Sequence, residues 1–151
     1  MVPQKEERLR ELLRKAREKG KKTSFCVVGA GHGGLAMAGH LAIQGYPVSL
    51  YNRTSEKLNG VRWHGGIKVG GEVEGFGRIG LATSDMAEAV SGADVIMVVT
   101  PSTAHAPLAG RMAPHLRDGQ IVVLNPGRTG GALEFCRVLD DSGVRTAVFI
   151  A

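Results

Sequence analysis

A chain of 151 residues with 43% apolar content is long enough to bury one compact core and too short for two ordinary domains. Its 22 glycines lie between apolar runs, so they point to tight turns and close backbone approaches rather than to disorder. The net charge of +5 suggests nucleic acid, but residues 1–22 hold nine Lys/Arg against four Asp/Glu, and the remainder is balanced at ten of each.

The first predicted element is that basic extension. Residues Pro3 to Lys19 are good helix formers, with a proline placed for the first turn. Leu9, Leu12, Leu13 and Ala16 form a narrow stripe, and Glu7, Glu11 and Lys15 stand four apart. With no aromatic for base stacking and no wide apolar face for lipid, a solvated helix docked by its leucines is expected, with neither nucleic acid nor membrane as partner.

After Lys22 short apolar runs alternate with helical patterns. Phe25 to Val28 predicts a buried strand ending at Gly29, and Leu35 to Gly45 a helix stopped by Gly45 and Pro47. Val48 to Tyr51 is a second strand, Arg53 to Leu58 a short helical turn, and Asn59 to Leu81 short strands or a hairpin on the sheet edge. Asp85 caps a short helix through Val90, and Asp94 to Thr100 carries the strongest strand signal. Ser102 to Leu116 is helical, Gln120 to Leu124 a strand, Gly130 to Leu139 helical, and Val144 to Ile150 a last strand. This alternation gives an α/β fold: a doubly wound, mostly parallel Rossmann sheet with helices on both faces and strand order 3-2-1-4-5-6. The expected organisation is a helical extension over 1–22 and a dinucleotide-binding domain over 23–151, with no substrate domain following. Cys26 and Cys136 imply no disulfide framework, no run of about 18 apolar residues is present, and a cytoplasmic location is expected.

The candidate site begins at Gly29-Ala30-Gly31-His32-Gly33-Gly34, which places Gly-x-Gly-x-x-Gly between a strand and a helix. Gly29 permits the sharp turn, Gly31 lets a pyrophosphate approach the backbone, and Gly34 lets helix and strand pack closely. Free N–H groups and the helix dipole then favour the phosphates. His32 either borders the cofactor or is a plain exposed turn residue.

An NAD binder usually has an acid about 20 residues after the glycine turn to bond the ribose hydroxyls. Here Tyr51-Asn52-Arg53-Thr54 stands in its place. With the acid gone, Arg53 can pair with a 2′-phosphate or stack on adenine, while Asn52, Thr54 or Ser55 add neutral hydrogen bonds. NADP(H) is favoured and NAD remains open, since Arg53 also reads as a solvated surface charge. Beyond the later strands, Thr100, Pro101, Ser102 and Asn125 are placed to reach the nicotinamide ribose or carboxamide. His105 is expected on a helix surface rather than as an acid or base, His40, His64 and His115 lack companion acids, and no metal-ligand cluster occurs.

The runs Val28 to Ala36, Tyr51-Asn52-Arg53 and Asn125-Pro126-Gly127-Arg128-Thr129-Gly130-Gly131-Ala132-Leu133-Glu134-Phe135 resemble the opine (octopine/nopaline) dehydrogenases over roughly residues 24–151. More distantly they resemble the N-terminal domains of NAD-dependent glycerol-3-phosphate dehydrogenases and ketopantoate reductases. The resemblance implies reductive condensation of an amino acid with a 2-oxo acid by hydride from a nicotinamide. It also implies that the catalytic His–Asp pair and the substrate pocket belong to a C-terminal helical domain, so no catalytic residue is assigned here. The chain alone is expected to bind cofactor without turnover and to form a homodimer. Two other readings stand beside it: the coenzyme domain of a glycerol-3-phosphate or 2-hydroxy-acid dehydrogenase, and a stand-alone nucleotide sensor.

Overall fold

A computed structural model describes residues 22–151 together with Glu6, Glu7, Arg10, Glu11, Arg14 and Gly20. The five charged N-terminal residues are helical, and exposed ion pairs join Arg10 to Glu6 and Arg14 to Glu11, each at 2.8 Å. The stripe Leu9, Leu12, Leu13 and Ala16 and the residue Lys15 lie outside the described residues.

The main sheet uses β1 (Phe25–Val28), β2 (Val48–Tyr51), β5 (Leu81–Thr83), β6 (Val95–Val98), β7 (Ile121–Leu124) and β8 (Phe149–Ile150). Its order is β5-β2-β1-β6-β7-β8 and every pairing is parallel, the doubly wound order that the sequence pattern predicts. The helices are α1 (His32–Ile43), α2 (Asn59–His64), α3 (Met86–Ser91), α4 (His105–Met112) and α5 (Gly131–Asp141).

Strands β1 and β6 are apolar on both faces because each face meets a different core. Cys26, Val28, Ile96, Val98 and Val122 enter one cluster with Val90, Met112 and Phe135 from α3, α4 and α5. Val27, Val48 and Leu50 enter the other with Ala38 from α1, Val61 from α2, and Leu58 between them. The alternation along β1 therefore fastens helices to both sides and presents its carboxyl end, where the glycine turn begins, as a fixed platform.

Several boundaries differ from the sequence expectation for physical reasons. Helix α1 starts at His32 rather than Leu35, with Leu35 N–H donating to Gly31 O at 2.9 Å; glycines of low helix propensity hide this start. The stretch after Asn59 first forms α2, then a hairpin of β3 (Gly66–Val69) and β4 (Gly75–Arg78) that pairs only with itself. It lies on the outer face of α1, where Gly39 leaves room for Ile67 and Val69, and Gly77 sits against Gly39 and Ala42. The sheet edge is β5 instead. At the opposite edge, Val144 N–H bonds to Leu139 O and Ala147 N–H to Asp118 Oδ1. These bonds hold the return from α5 as a loop, so β8 is shorter than expected.

Candidate dinucleotide-binding site

Hydrogen bonds one step beyond the strand ends bring the candidate loops side by side. Gly29 N–H donates to Tyr51 O at 2.8 Å, Asn52 N–H to Thr83 O at 3.2 Å, Val99 N–H to Val28 O at 2.9 Å and Asn125 N–H to Val98 O at 2.8 Å. The glycine turn, the turn after β2, and the segments after β6 and β7 thus form one rim at the carboxyl edge of the sheet. That is where ligands bind in open α/β sheets.

Within the turn the three motif glycines have different tasks. Gly29 has φ +116° and lies against the Val99 carbonyl, so both conformation and space demand glycine. A Cβ on Gly34 would run into the Gly29 carbonyl, with the carbonyl carbon 2.8 Å away. Gly31 has ordinary extended geometry, φ −79° and ψ −179°, and a Cβ there would meet no protein atom within 4 Å. Nothing in the fold requires glycine at 31. The open space in front of it fits a group that must approach the backbone closely.

Gly31 is the N-cap of α1 and supplies no capping side chain, and the first turn carries no acid. The leading N–H groups of a helix have no intrahelical partner, and the dipole puts partial positive charge there. Gly31, His32 and Gly33 are exposed while Gly29, Ala30 and Gly34 are buried. This arrangement suits a pyrophosphate.

Asn52 ties the second strand to the turn. Its Oδ1 accepts from Ala30 N–H at 3.1 Å and its Nδ2 donates to Thr54 O at 2.9 Å. Both ends of the amide are therefore engaged inside the protein, which makes Asn52 a positioning residue for the glycine turn. Arg53 and Thr54 are exposed, and no ion pair involves Arg53 among the described residues. Ser55 Oγ accepts from Arg62 Nη1 at 2.8 Å, and Arg62 Nε donates to Ala82 O at 2.8 Å. Sequence reasoning missed Arg62. The signal available for it was one basic residue in the short helix that follows the second strand.

On the other side of the turn, Thr100 packs its methyl group toward Gly29, and its buried Oγ1 has no partner among the described residues. An orphaned hydroxyl at the rim fits a polar ligand atom. Pro101 and Ser102 are exposed, and Asn125 is half-buried with Nδ2 donating to Val123 O at 3.1 Å. His105 is not on a helix surface. It is fully buried at the head of α4, facing Gly131 at the head of α5, because it shares the core-facing stripe of α4 with Leu108, Ala109 and Met112.

Other features of the molecule offer no competing chemistry. Burial pushes the Cys26 thiol up to about 12, against a lesser opposing effect of its hydrogen bond to Ser49, so it is no nucleophile near neutrality. Among the described residues no group of three His, Cys, Asp or Glu is placed to hold a metal, and no helix is long and apolar enough to cross a membrane. A hollow of about 520 Å³ lies at the amino ends of β1, β2 and β5, lined by Ser24, Pro47, Arg78 and Gly92 among others. The C-terminus of α3 adjoins it, and that end of a helix repels phosphate.

Comparison with known proteins agrees with this geometry. Residues 24–126 match the family described as the NAD binding domain of 6-phosphogluconate dehydrogenase. The chain is 38% identical over 121 residues to an opine dehydrogenase of Arthrobacter sp. (strain 1C), a match covering 80% of this chain and 34% of that protein. It is 32% identical over 109 residues to a glycerol-3-phosphate dehydrogenase [NAD(P)+] of Moorella thermoacetica, covering 68% of this chain and 30% of the relative. An octopine dehydrogenase solved with NADH and L-arginine superposes with TM-score 0.74 at 26% identity, over 85% of this chain and 34% of the other. The chain therefore spans about a third of the length of these relatives.

Proposed function

The chain belongs to the family of NAD-binding domains described for 6-phosphogluconate dehydrogenase, and on that premise we propose that it is the coenzyme-holding part of an oxidoreductase similar to opine dehydrogenases. The observation that carries the site is the uncapped N-terminus of α1 behind Gly31, which faces open space. In this reading the N–H groups of the Gly31-His32-Gly33-Gly34 segment bind the pyrophosphate, Thr100 and Ser102 orient the nicotinamide half, and Asn125 borders it. The nicotinamide, when bound, supplies or accepts hydride; the residues named here bind and orient. His32 projects from the exposed start of the helix at the border of the site.

The proposal extends to cofactor choice. The turn after β2 offers Asn52, with its amide already engaged, and the unpaired cation of Arg53 in place of an acid. A carboxylate there would repel a 2′-phosphate, whereas a guanidinium attracts one, so NADP(H) is preferred over NAD(H). The reaction class proposed for the whole enzyme is the reductive joining of an amino acid to a 2-oxo acid. No proton-moving role in it is assigned to a residue of this chain, and the proposal is that the chain alone binds cofactor without turnover.

We also propose residues 1–22 as a separate extension, a cytoplasmic setting and a homodimer. Phe149, half-exposed on the edge strand β8, is a candidate contact. Calorimetric titration of the chain with NADPH and NADH tests the cofactor reading. Tighter binding of NADPH is expected, and equal affinity would overturn the preference. Light scattering tests the dimer, which a monodisperse monomer would refute. Oxidation of NADPH by the isolated chain with an amino acid and pyruvate would refute the inactivity claim.

A further inference from the structure

Helix α2 carries a cation that the fold holds in place but does not neutralise. Leu58 and Val61, both buried, fix the start of this helix against the α1 side of the core. The Arg62 guanidinium lies at the free edge of β5, beside the turn that follows β2. Its Nε bonds to the carbonyl of Ala82 in β5 and its Nη1 to the Ser55 hydroxyl, both at 2.8 Å. Ala82 stands in register with Leu50 of β2, and Ser55 follows Arg53 by two residues. Both acceptors are neutral. No ion pair involves Arg62 among the described residues, and Nη2 makes no hydrogen bond there.

We propose that Arg62 is a second, preset cation for a phosphate monoester on the adenosine ribose, acting beside Arg53. This rests on the reading that a dinucleotide lies with its adenosine ribose at the end of β2. A guanidinium has five N–H donors, and two anchoring bonds leave three for an incoming anion. Arg53 must be ordered when it binds, whereas Arg62 is already held by its fork and loses less freedom. Bridging two neutral oxygens does not by itself require a permanent charge. A fixed positive charge bonded to Ser55, two residues after the Arg53 position where related sites place an acid, suits a dianionic phosphate.

The test uses adenosine fragments, so that nicotinamide contacts play no part. The full chain and the variants Arg62→Gln, Arg53→Gln and Ser55→Ala are titrated by calorimetry with 2′,5′-ADP and with 5′-AMP. Trp63, the one tryptophan of the chain, is almost fully exposed next to Arg62 and gives an independent fluorescence signal at the site. The unmodified chain is expected to prefer 2′,5′-ADP. Arg62→Gln should weaken 2′,5′-ADP by about 10-fold or more, as loss of a charge-assisted pair requires, and leave 5′-AMP within about two-fold. Ser55→Ala keeps the charge and releases one anchor, so a smaller loss of discrimination is expected, which keeps the proposal testable if Arg62→Gln does not fold. A preference for 2′,5′-ADP that survives unchanged in Arg62→Gln, or in Ser55→Ala where that variant alone folds, overturns the role of Arg62. Equal binding of both fragments by the unmodified chain overturns the underlying cofactor reading instead.

Discussion

Replacing Gly31 and Gly34 in turn by alanine should separate what the glycine turn does for the ligand from what it does for the fold. At Gly34 the new methyl group meets the Gly29 carbonyl, which is backbone and cannot rotate away. Overpacking ordinarily costs about 1–3 kcal/mol, and a backbone obstacle puts this site at the upper end or beyond. For a domain of this size a loss of about 3 kcal/mol lowers Tm by roughly 6–12 °C. At Gly31 the methyl group meets nothing and the backbone angles suit any residue. Stability should fall by no more than about 1 kcal/mol there, the cost of alanine in place of an N-cap glycine. The methyl group does occupy the approach to the N–H groups of α1. Losing one charge-assisted bond, about 1.5–3 kcal/mol, weakens the dinucleotide roughly 10- to 150-fold. Thermal unfolding and calorimetry on the two variants read both effects. Undiminished NADPH binding by Gly31→Ala, or a Tm loss equal to that of Gly34→Ala, would refute this division of labour.

Asn52→Ala removes the acceptor for Ala30 N–H and should lower stability by about 1 kcal/mol while loosening the turn; an unchanged denaturation midpoint would contradict it. Arg53→Ala should weaken NADPH and leave NADH within about two-fold, because only the former carries the 2′-phosphate that a charge-assisted pair serves; parallel titrations check this. For Cys26, burial raises the folded-state value from 9.0 to about 12, so the folded protein keeps the proton longer than the unfolded chain does. Its contribution is intact below pH 9 and is lost as pH rises toward 12, at up to about 1.4 kcal/mol per unit. Denaturation of the unmodified chain and Cys26→Ala at about pH 8 and about pH 10 should show the steeper loss in the former. Deleting residues 1–22 should leave NADPH affinity within about five-fold, since a surface pair contributes under about 1 kcal/mol; a loss well beyond that would show that the extension completes the site.

The parallel sheet was legible because β1, β6 and β7 read as unbroken apolar runs, with one face of each buried and the other at least half-buried. The glycine turn was legible because Gly29 and Gly34 answer to steric demands that no other residue meets. What escaped depends on contacts distant in sequence. The hairpin finds its place where its Gly77 meets Gly39 and Ala42 of α1, a contact between segments far apart in sequence. His105 lies inward as the first residue of the buried stripe completed by Leu108, Ala109 and Met112, a helical spacing that its residue type masked. Asn52 and Ser55 offer the polar atoms expected of ligand contacts, yet Ala30, Thr54 and Arg62 already use them. Residue type was readable at these positions, and partner was not.

Amide-resolved NMR of the chain titrated with NADPH tests the central claim most directly, because the candidate rim and the hollow lined by Ser24 and Gly92 lie at opposite ends of one sheet. The largest shifts should fall on Gly29 to Gly34, on Asn52 to Ser55 and on Thr100 with Ser102, at the carboxyl ends of the strands. Shifts confined to Ser24, Val48, Arg78 and Gly92, which line the hollow at the amino ends, would contradict the assignment of the site.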